Sequence, residues 1–404
     1  MVLLLGMGAM IFRSIPFFRA TIQASQATHY EALDGLRGYL ALAVFFHHAV
    51  VQYNFYRTGT WGAVGSQFYS ALGPTGVMFF FMITGFLFWS KAIAKNGHLP
   101  ALGLYRNRFL RLAPLYLFSI LVILLIVAER SHFHISSSPL GLMAELGRAL
   151  SLGMGPVGVI NGVDTRPVNA GVTWSLRYEW AFYLLLPLTA RLVRRPLSWR
   201  FVVLAAIITS CSWIWLPQWP AGDRILCFLY GMCTAHLVAH FSGSLVCRTA
   251  KRSWVGALAM LLVVLSLLSH GSFWNVQFAG LAFVCFALGN DLLGLLRIRG
   301  AKVLGTISYS IYLLHGIALY LALRIMNHFY PVVAMKPLPY WGLIGACAVF
   351  VVACSAVTYR LFEHPFIALS HKRRTQAERR PPDPQSVSAA EGPDHLEATG
   401  VKLR

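Results

Sequence analysis

Four ionisable side chains stand in one otherwise apolar run, LDGLRGYLALAVFFHHAVV: Asp34, Arg37, His47 and His48. Such groups are costly in a hydrocarbon environment and are kept there mostly for function. Arg37 and His48 are eleven residues apart. In an α-helix that is three turns plus about 20° of rotation, with roughly 16 Å of rise. The two share one helix face, and His47 points about 100° away. A neutral imidazole can act as a general base near pH 7; the plainer reading is that His48 bridges helices by a hydrogen bond. A second apolar run, TWSLRYEWAFYLLLPL, carries Arg177 and Glu179. If the two runs cross a bilayer in opposite senses, Glu179 and His48 lie within about one turn of the same depth. A carboxylate there can orient the imidazole and stabilise its protonated form, or pair with an arginine.

A third run, GTISYSIYLLHGIALY, places Ser308, Tyr312 and His315 at i, i+4 and i+7, one polar face on an apolar helix. Before another run, YRNRFLRLAPLY holds Arg106, Arg108 and Arg111. Arg108 and Arg111 are neighbours at i, i+3, and the planar guanidinium suits phosphate. In sum, a cationic mouth leads to Arg37 and then to an imidazole and a carboxylate deeper in the apolar layer. A long anionic ligand with a reactive far end fits that order, and acyl-coenzyme A has the shape. No His, Cys, Asp or Glu cluster has metal-ligand spacing.

The elements that must position these residues are helices in a membrane. Of 404 residues, 57% are hydrophobic and only 12% charged, about half the charge of a soluble domain. Spans are expected near 36–53, 74–90, 112–128, 173–191, 201–216, 225–241, 254–269, 273–290, 304–323 and 340–361. The net charge of +20 lies in short loops between these runs, which argues for membrane topology and against a nucleic-acid partner. Alternate loops are rich in Lys and Arg: Lys91 to Arg111, Arg191 to Arg200, Arg248 to Arg252, Arg297 to Lys302 and the C-terminal stretch. The loops between them are poor in both. The expectation is an all-α integral membrane protein with about ten spans and both termini cytoplasmic. Residues 1–29 read as an N-terminal extension and 30–369 as the membrane domain. Residues 370–404, polar and Pro-containing, read as a disordered basic tail. The seven cysteines form no CxxC pair and read as small buried hydrophobes.

The motifs together resemble the acyltransferase-3 family of membrane O-acyltransferases. ALDGLRGYLALAVFFHH resembles its opening Arg-to-His motif and FFFMITGF (79–86) its FF-x-x-SGF segment. RNRFLRLAPLY resembles its Arg-x-x-Arg segment, and TWSLRYEWAFYLLLP its WSL-x-x-E segment. ISYSIYLLH (307–315) and YRLFEHPF (359–366) resemble its closing motifs. The resemblance covers about residues 31–366 in family order. It differs in Thr84, where Ser is common, and in Trp180, where a second acid often follows the first.

The resemblance implies transfer of an acyl group, usually acetyl, from cytosolic acyl-CoA to a hydroxyl. The implied acceptor is carbohydrate-like: surface polysaccharide, lipopolysaccharide or a glycosylated metabolite. It implies His48 and Glu179 as catalytic residues and Arg37, Arg108 and Arg111 as the acyl-CoA site. Asp34, Ser308, Tyr312, His315 and Glu363 stand as supporting polar residues. Acyl-CoA is then a co-substrate with no bound cofactor and no metal, and the location a plasma membrane, the bacterial inner membrane in particular. The rival reading is a transporter or flippase for an anionic or sugar-linked solute, in which the same buried charges bind substrate.

Overall fold

Every apolar run within the described residues is helical, as its length and composition require. The computed structural model describes residues 1–25, 30–62, 64–155, 158–194, 211, 221–269 and 272–369. The expected span at 201–216, residue 211 apart, and the tail 370–404 lie outside them. The helices are α1 (Val2–Ser14), α2 (Pro16–Ser25), α3 (Glu31–Thr58), α4 (Gln67–Ala94), α5 (Ala101–Arg130), α6 (Pro139–Leu150), α7 (Arg166–Asn169) and α8 (Trp174–Thr189). After the undescribed stretch come α9 (Gly222–His240), α10 (Leu245–Ala250), α11 (Ser253–Leu268), α12 (Ser272–Ala287), α13 (Arg299–Thr306), α14 (Ser308–Phe329) and α15 (Pro337–Thr358). A two-stranded hairpin, β1 (Val159–Ile160) and β2 (Val163–Asp164), interrupts the all-α architecture. Its turn is Asn161–Gly162, both at positive φ (50° and 77°), as a two-residue hairpin loop demands.

Four of these helices are long and apolar enough to cross a membrane: α4, α5, α14, and α15 with its continuation to Leu369. The pair α1–α2, bent by 96°, passes the same test only when taken together, and α11 and α12 are shorter apolar helices. Helix α3 is 28 residues long, but Glu31, Asp34, Arg37 and the two histidines dilute its apolarity. The expected extension at the N-terminus is a helical pair packed against α13.

Two apolar clusters make the interior. One centres on α4, with α5, α8, α9 and α12 around it. The other joins α1, α2, α13, α14 and α15. Helix α3 belongs to both: Leu36, Leu40 and Val44 face the first, Leu42, Phe45 and Ala49 the second. Helix α14 is divided in the same way, Tyr312 and Ile317 facing one cluster and Ile311 and Leu319 the other. The polar residues singled out on α3 and α14 thus lie along the seam between two apolar bodies. The close approach of α3 to α13 depends on glycine: a Cβ on Gly305 would collide with the Asp34 carbonyl, and one on Gly38 would lie 2.7 Å from the Ala301 carbonyl oxygen. Small residues of this kind let membrane helices pack backbone to backbone.

Candidate active site

Arg37, one helical turn and a half into α3, opens on a cavity of about 130 Å3 between α3, α4, α5, α8 and α14. Arg108 and Arg111 reach the same cavity from α5, Lys91 and Thr84 from α4, and Ser175, Glu179 and Tyr183 from α8. Ser308, Tyr309 and Tyr312 close it from α14. The guanidinium of Arg108 lies 4.8 Å from the Phe88 ring centroid and 5.7 Å from that of Tyr183, so two aromatic faces hold it in place. Its Nε has no hydrogen-bond partner among the described residues.

Glu179 accepts a hydrogen bond from the Tyr183 hydroxyl at 2.7 Å and interacts with the charges of Arg108, Arg111 and Arg37. Arg37 also feels Asp34 and Glu363. Glu363 is fully buried and ends a π-helical turn, Tyr359–Glu363; it accepts from Ser310, whose hydroxyl also accepts from Thr358 at 3.3 Å. The second Glu363 carboxyl oxygen and the Ser308 hydroxyl have no partner among the described residues. Buried polar atoms of this sort are usually satisfied, so a cavity wall bearing Ser308 Oγ and Arg108 Nε is suited to a polar occupant.

Further along the seam, His315 Nε2 lies 3.1 Å from His48 Nδ1. Each imidazole is also anchored to its own helix, His48 Nδ1 to the Val44 carbonyl at 3.0 Å and His315 Nδ1 to the Ile311 carbonyl at 3.1 Å. The Tyr312 ring, which lines the cavity, is 6.2 Å from the His315 ring, so one aromatic side chain separates the arginine cavity from the histidine pair. The Tyr312 hydroxyl shares a 2.9 Å hydrogen bond with Ser175 and donates to the Val172 carbonyl at 3.0 Å. His47 turns towards α4, its Nδ1 2.6 Å from the Tyr69 carbonyl.

The chain between α5 and α8 folds over this end of the seam. Gln52, one turn beyond His48, donates to the Pro167 carbonyl. Gly316, beside His315, leaves no room for a Cβ against Asn169 and Ala170. Asn161 ties the loop together, accepting from the backbone of Ser136 at 2.7 Å and donating to the His134 carbonyl at 2.7 Å, while its own N–H donates to Glu145 at 2.9 Å. Tyr116 and Trp180 pin the end of α6 through the Ala149 and Leu152 carbonyls at 2.8 and 3.2 Å.

Along the chain these residues, Glu363 excepted, fall inside one stretch, residues 30–360, which a family model described as an acyltransferase domain matches. The chain belongs to the acyltransferase-3 family. It is also similar to acyltransferase MdmB of Streptomyces mycarofaciens, 30% identical over 197 residues. That match covers 47% of this chain and 48% of that protein, so the chain spans about half the length of the curated relative it matches. No solved structure matches the chain.

Within this acyltransferase-3 chain, the sequence expectations divide by position. Arg37, Arg108, Arg111 and Glu179 converge on one cavity, and Ser308 and Tyr312 line it with them. His315, expected as a supporting polar residue, meets His48. The expected partnership of Glu179 with His48 is not what the geometry gives. Equal depth fixes a position along the helix axes only, and α8 faces the arginines of α5 and α3. Arg177 does not pair with Glu179 either; it stacks on Tyr178 at 5.0 Å. The sequence reading passed over Lys91, Tyr183 and Tyr309. Lys91 reads as loop charge, and tyrosines in apolar helices read as core. Among the described residues no three His, Cys, Asp or Glu side chains gather as a metal ion would require.

Proposed function

We propose that this protein is a membrane O-acyltransferase that moves an acyl group, acetyl first, from cytosolic acyl-CoA to a hydroxyl of a carbohydrate-type acceptor. The observation that carries the reading is the convergence of Arg37, Arg108 and Arg111 on one cavity whose far wall, Tyr312, abuts the His48–His315 pair. Arginine forks at the mouth bind the phosphates of the donor. Glu179 and Glu363 act as counter-charges that keep three mutually repelling cations in place. The pantetheine arm runs past Ser308 and Tyr312 and presents its thioester to His48. His48 takes the proton of the acceptor hydroxyl as the oxygen attacks the thioester carbonyl. The new C–O bond forms, the C–S bond breaks with its electron pair on sulfur, and the proton passes on to give free CoA.

The topology belongs to the same proposal: about ten spans, both termini cytoplasmic, in the bacterial inner membrane. Its support is the alternation of Lys and Arg between successive loops. The acceptor then arrives from the side of the folded loop between α5 and α8. The similarity to acyltransferase MdmB supports acyl transfer over solute transport. The test is purified protein in lipid nanodiscs with acetyl-CoA and a glycan or glycoside acceptor, scored by free-thiol release and by mass of the acylated product. Product that depends on His48 and on the arginines supports the reading. Transport of a solute with no consumption of acyl-CoA overturns it.

A further inference from the structure

A carbonyl oxygen can only accept a hydrogen bond, so it reveals which nitrogen of a facing imidazole carries the proton. His315 Nδ1 is 3.1 Å from the Ile311 carbonyl. The proton of neutral His315 therefore sits on Nδ1, and its Nε2 presents a lone pair. That lone pair lies 3.1 Å from His48 Nδ1, whose other neighbour, at 3.0 Å, is the Val44 carbonyl. Both neighbours of His48 Nδ1 are acceptors, so this nitrogen must be the donor. His48 Nε2 is left with the free lone pair, and it makes no hydrogen bond among the described residues.

We infer that His315 is the positioning residue of this site: through the chain Ile311 C=O, His315, His48 it fixes the tautomer of His48 so that Nε2 is the nitrogen that takes the acceptor proton. The inference rests on the acyl-transfer reading above and adds to it a partner for the base and the identity of the reacting nitrogen. When Nε2 accepts the proton, His48 becomes an imidazolium. Its Nδ1–H then donates a charge-assisted bond to His315 Nε2, a stronger bond than the neutral one before it. Stabilisation that grows as the reaction proceeds raises the rate and leaves donor binding alone. The Val44 carbonyl also accepts from Nδ1, so losing His315 weakens the arrangement without abolishing it.

The amide of Gln reaches the place of a histidine Nε2, and the shorter amide of Asn reaches that of Nδ1. His315→Gln thus keeps an acceptor against His48, whereas His315→Asn keeps the anchor to Ile311 and leaves the Nε2 place empty. Both are polar, so a comparison between them does not rest on burying an apolar patch. The measurement is kcat and KM for acetyl-CoA at saturating acceptor, together with acetyl-CoA binding as a check on the fold. His315→Gln should stay within about threefold of the parent in kcat. His315→Asn should lose on the order of tenfold to a hundredfold, the range of one charge-assisted hydrogen bond, with KM for acetyl-CoA unchanged in both. Equal kcat in the two variants, or a loss that appears in KM, overturns the inference. His48→Ala in parallel separates the two levels. Full activity in His48→Ala removes the base itself, whereas an inactive His48→Ala beside equal Gln and Asn variants removes only the role of His315.

Discussion

Replacing Arg108 by Ala should raise KM for acetyl-CoA by about tenfold to fiftyfold with little change in kcat. Arg108 is pre-positioned between Phe88 and Tyr183 at 4.8 and 5.7 Å. Its Nε has no partner among the described residues, so a phosphate oxygen can be accepted without breaking an existing bond. Hydrogen bonds to charged groups contribute roughly 1.5–3 kcal/mol, and the cavity is open enough for water to take the lower part of that range. About 1.4–2.3 kcal/mol corresponds to the stated factors. Arg108→Lys keeps the charge but loses the fork and the ring stacking, the latter about 0.5–1 kcal/mol, and should cost about threefold to tenfold. Arg106, exposed and outside the cavity, is the control, and Arg106→Ala should leave KM as it is. The assay is steady-state thiol release against acetyl-CoA concentration in nanodiscs at fixed ionic strength. If Arg108→Ala leaves KM unchanged, or Arg106→Ala matches it, the arginines do no more than set topology and the donor site lies elsewhere.

His48→Ala should lower kcat by about 10²–10⁴, the usual cost of losing a general base, while His47→Ala, turned towards the Tyr69 carbonyl, should cost much less; matched amounts of folded protein make the comparison. Tyr183→Phe removes the 2.7 Å bond to Glu179 and should raise KM for acetyl-CoA by about threefold to tenfold, since the carboxylate then loses its tether beside the arginines. Gly316→Val should drive the backbone at Asn169–Ala170 off α14, and limited proteolysis of the loop between α5 and α8 should accelerate well before the helices do. A reporter fused after residue 374 should read cytoplasmic and one inserted near Ser137 should read outside; the same side for both would mean that the number of spans between them is wrong by an odd count.

The sequence displayed what depends on one helix at a time. The 100° step per residue put Arg37 and His48 on a common face of α3, and both do face the seam with α14. The same step turned His47 aside, where the structure has it against α4. Relations between helices were less visible. Depth arithmetic matched Glu179 to His48, but lateral position around a bundle leaves no mark in a single chain, and Glu179 lies with the arginines. His315 showed as one member of a polar stripe with no hint of its partner, because the contact spans 267 residues. The loop between α5 and α8 held one signal that the sequence reading passed over, Asn161–Gly162 between Val-Ile and Val-Asp. Its remaining geometry comes from single side chains, Asn161 and Gln52, whose roles no periodicity announces.

Helix α3 carries Arg37, on the wall of the arginine cavity, and, eleven residues on, His48, the proposed base, within one unbroken helix of 28 residues. An α-helix is stiff at that length and rises by about 1.5 Å per residue, so under the proposed function the helix is a ruler between phosphate anchor and reacting atoms. The pantetheine arm is the other ruler, since its length is the same in every acyl-CoA. On the proposed acyl-CoA reading, matching the two places the thioester carbonyl whatever the acyl group beyond it. On that reading, choice among acyl chains falls to the space past His48. Donor selection and chain-length selection would then be separable traits, open to change by mutations at opposite ends of the same helix.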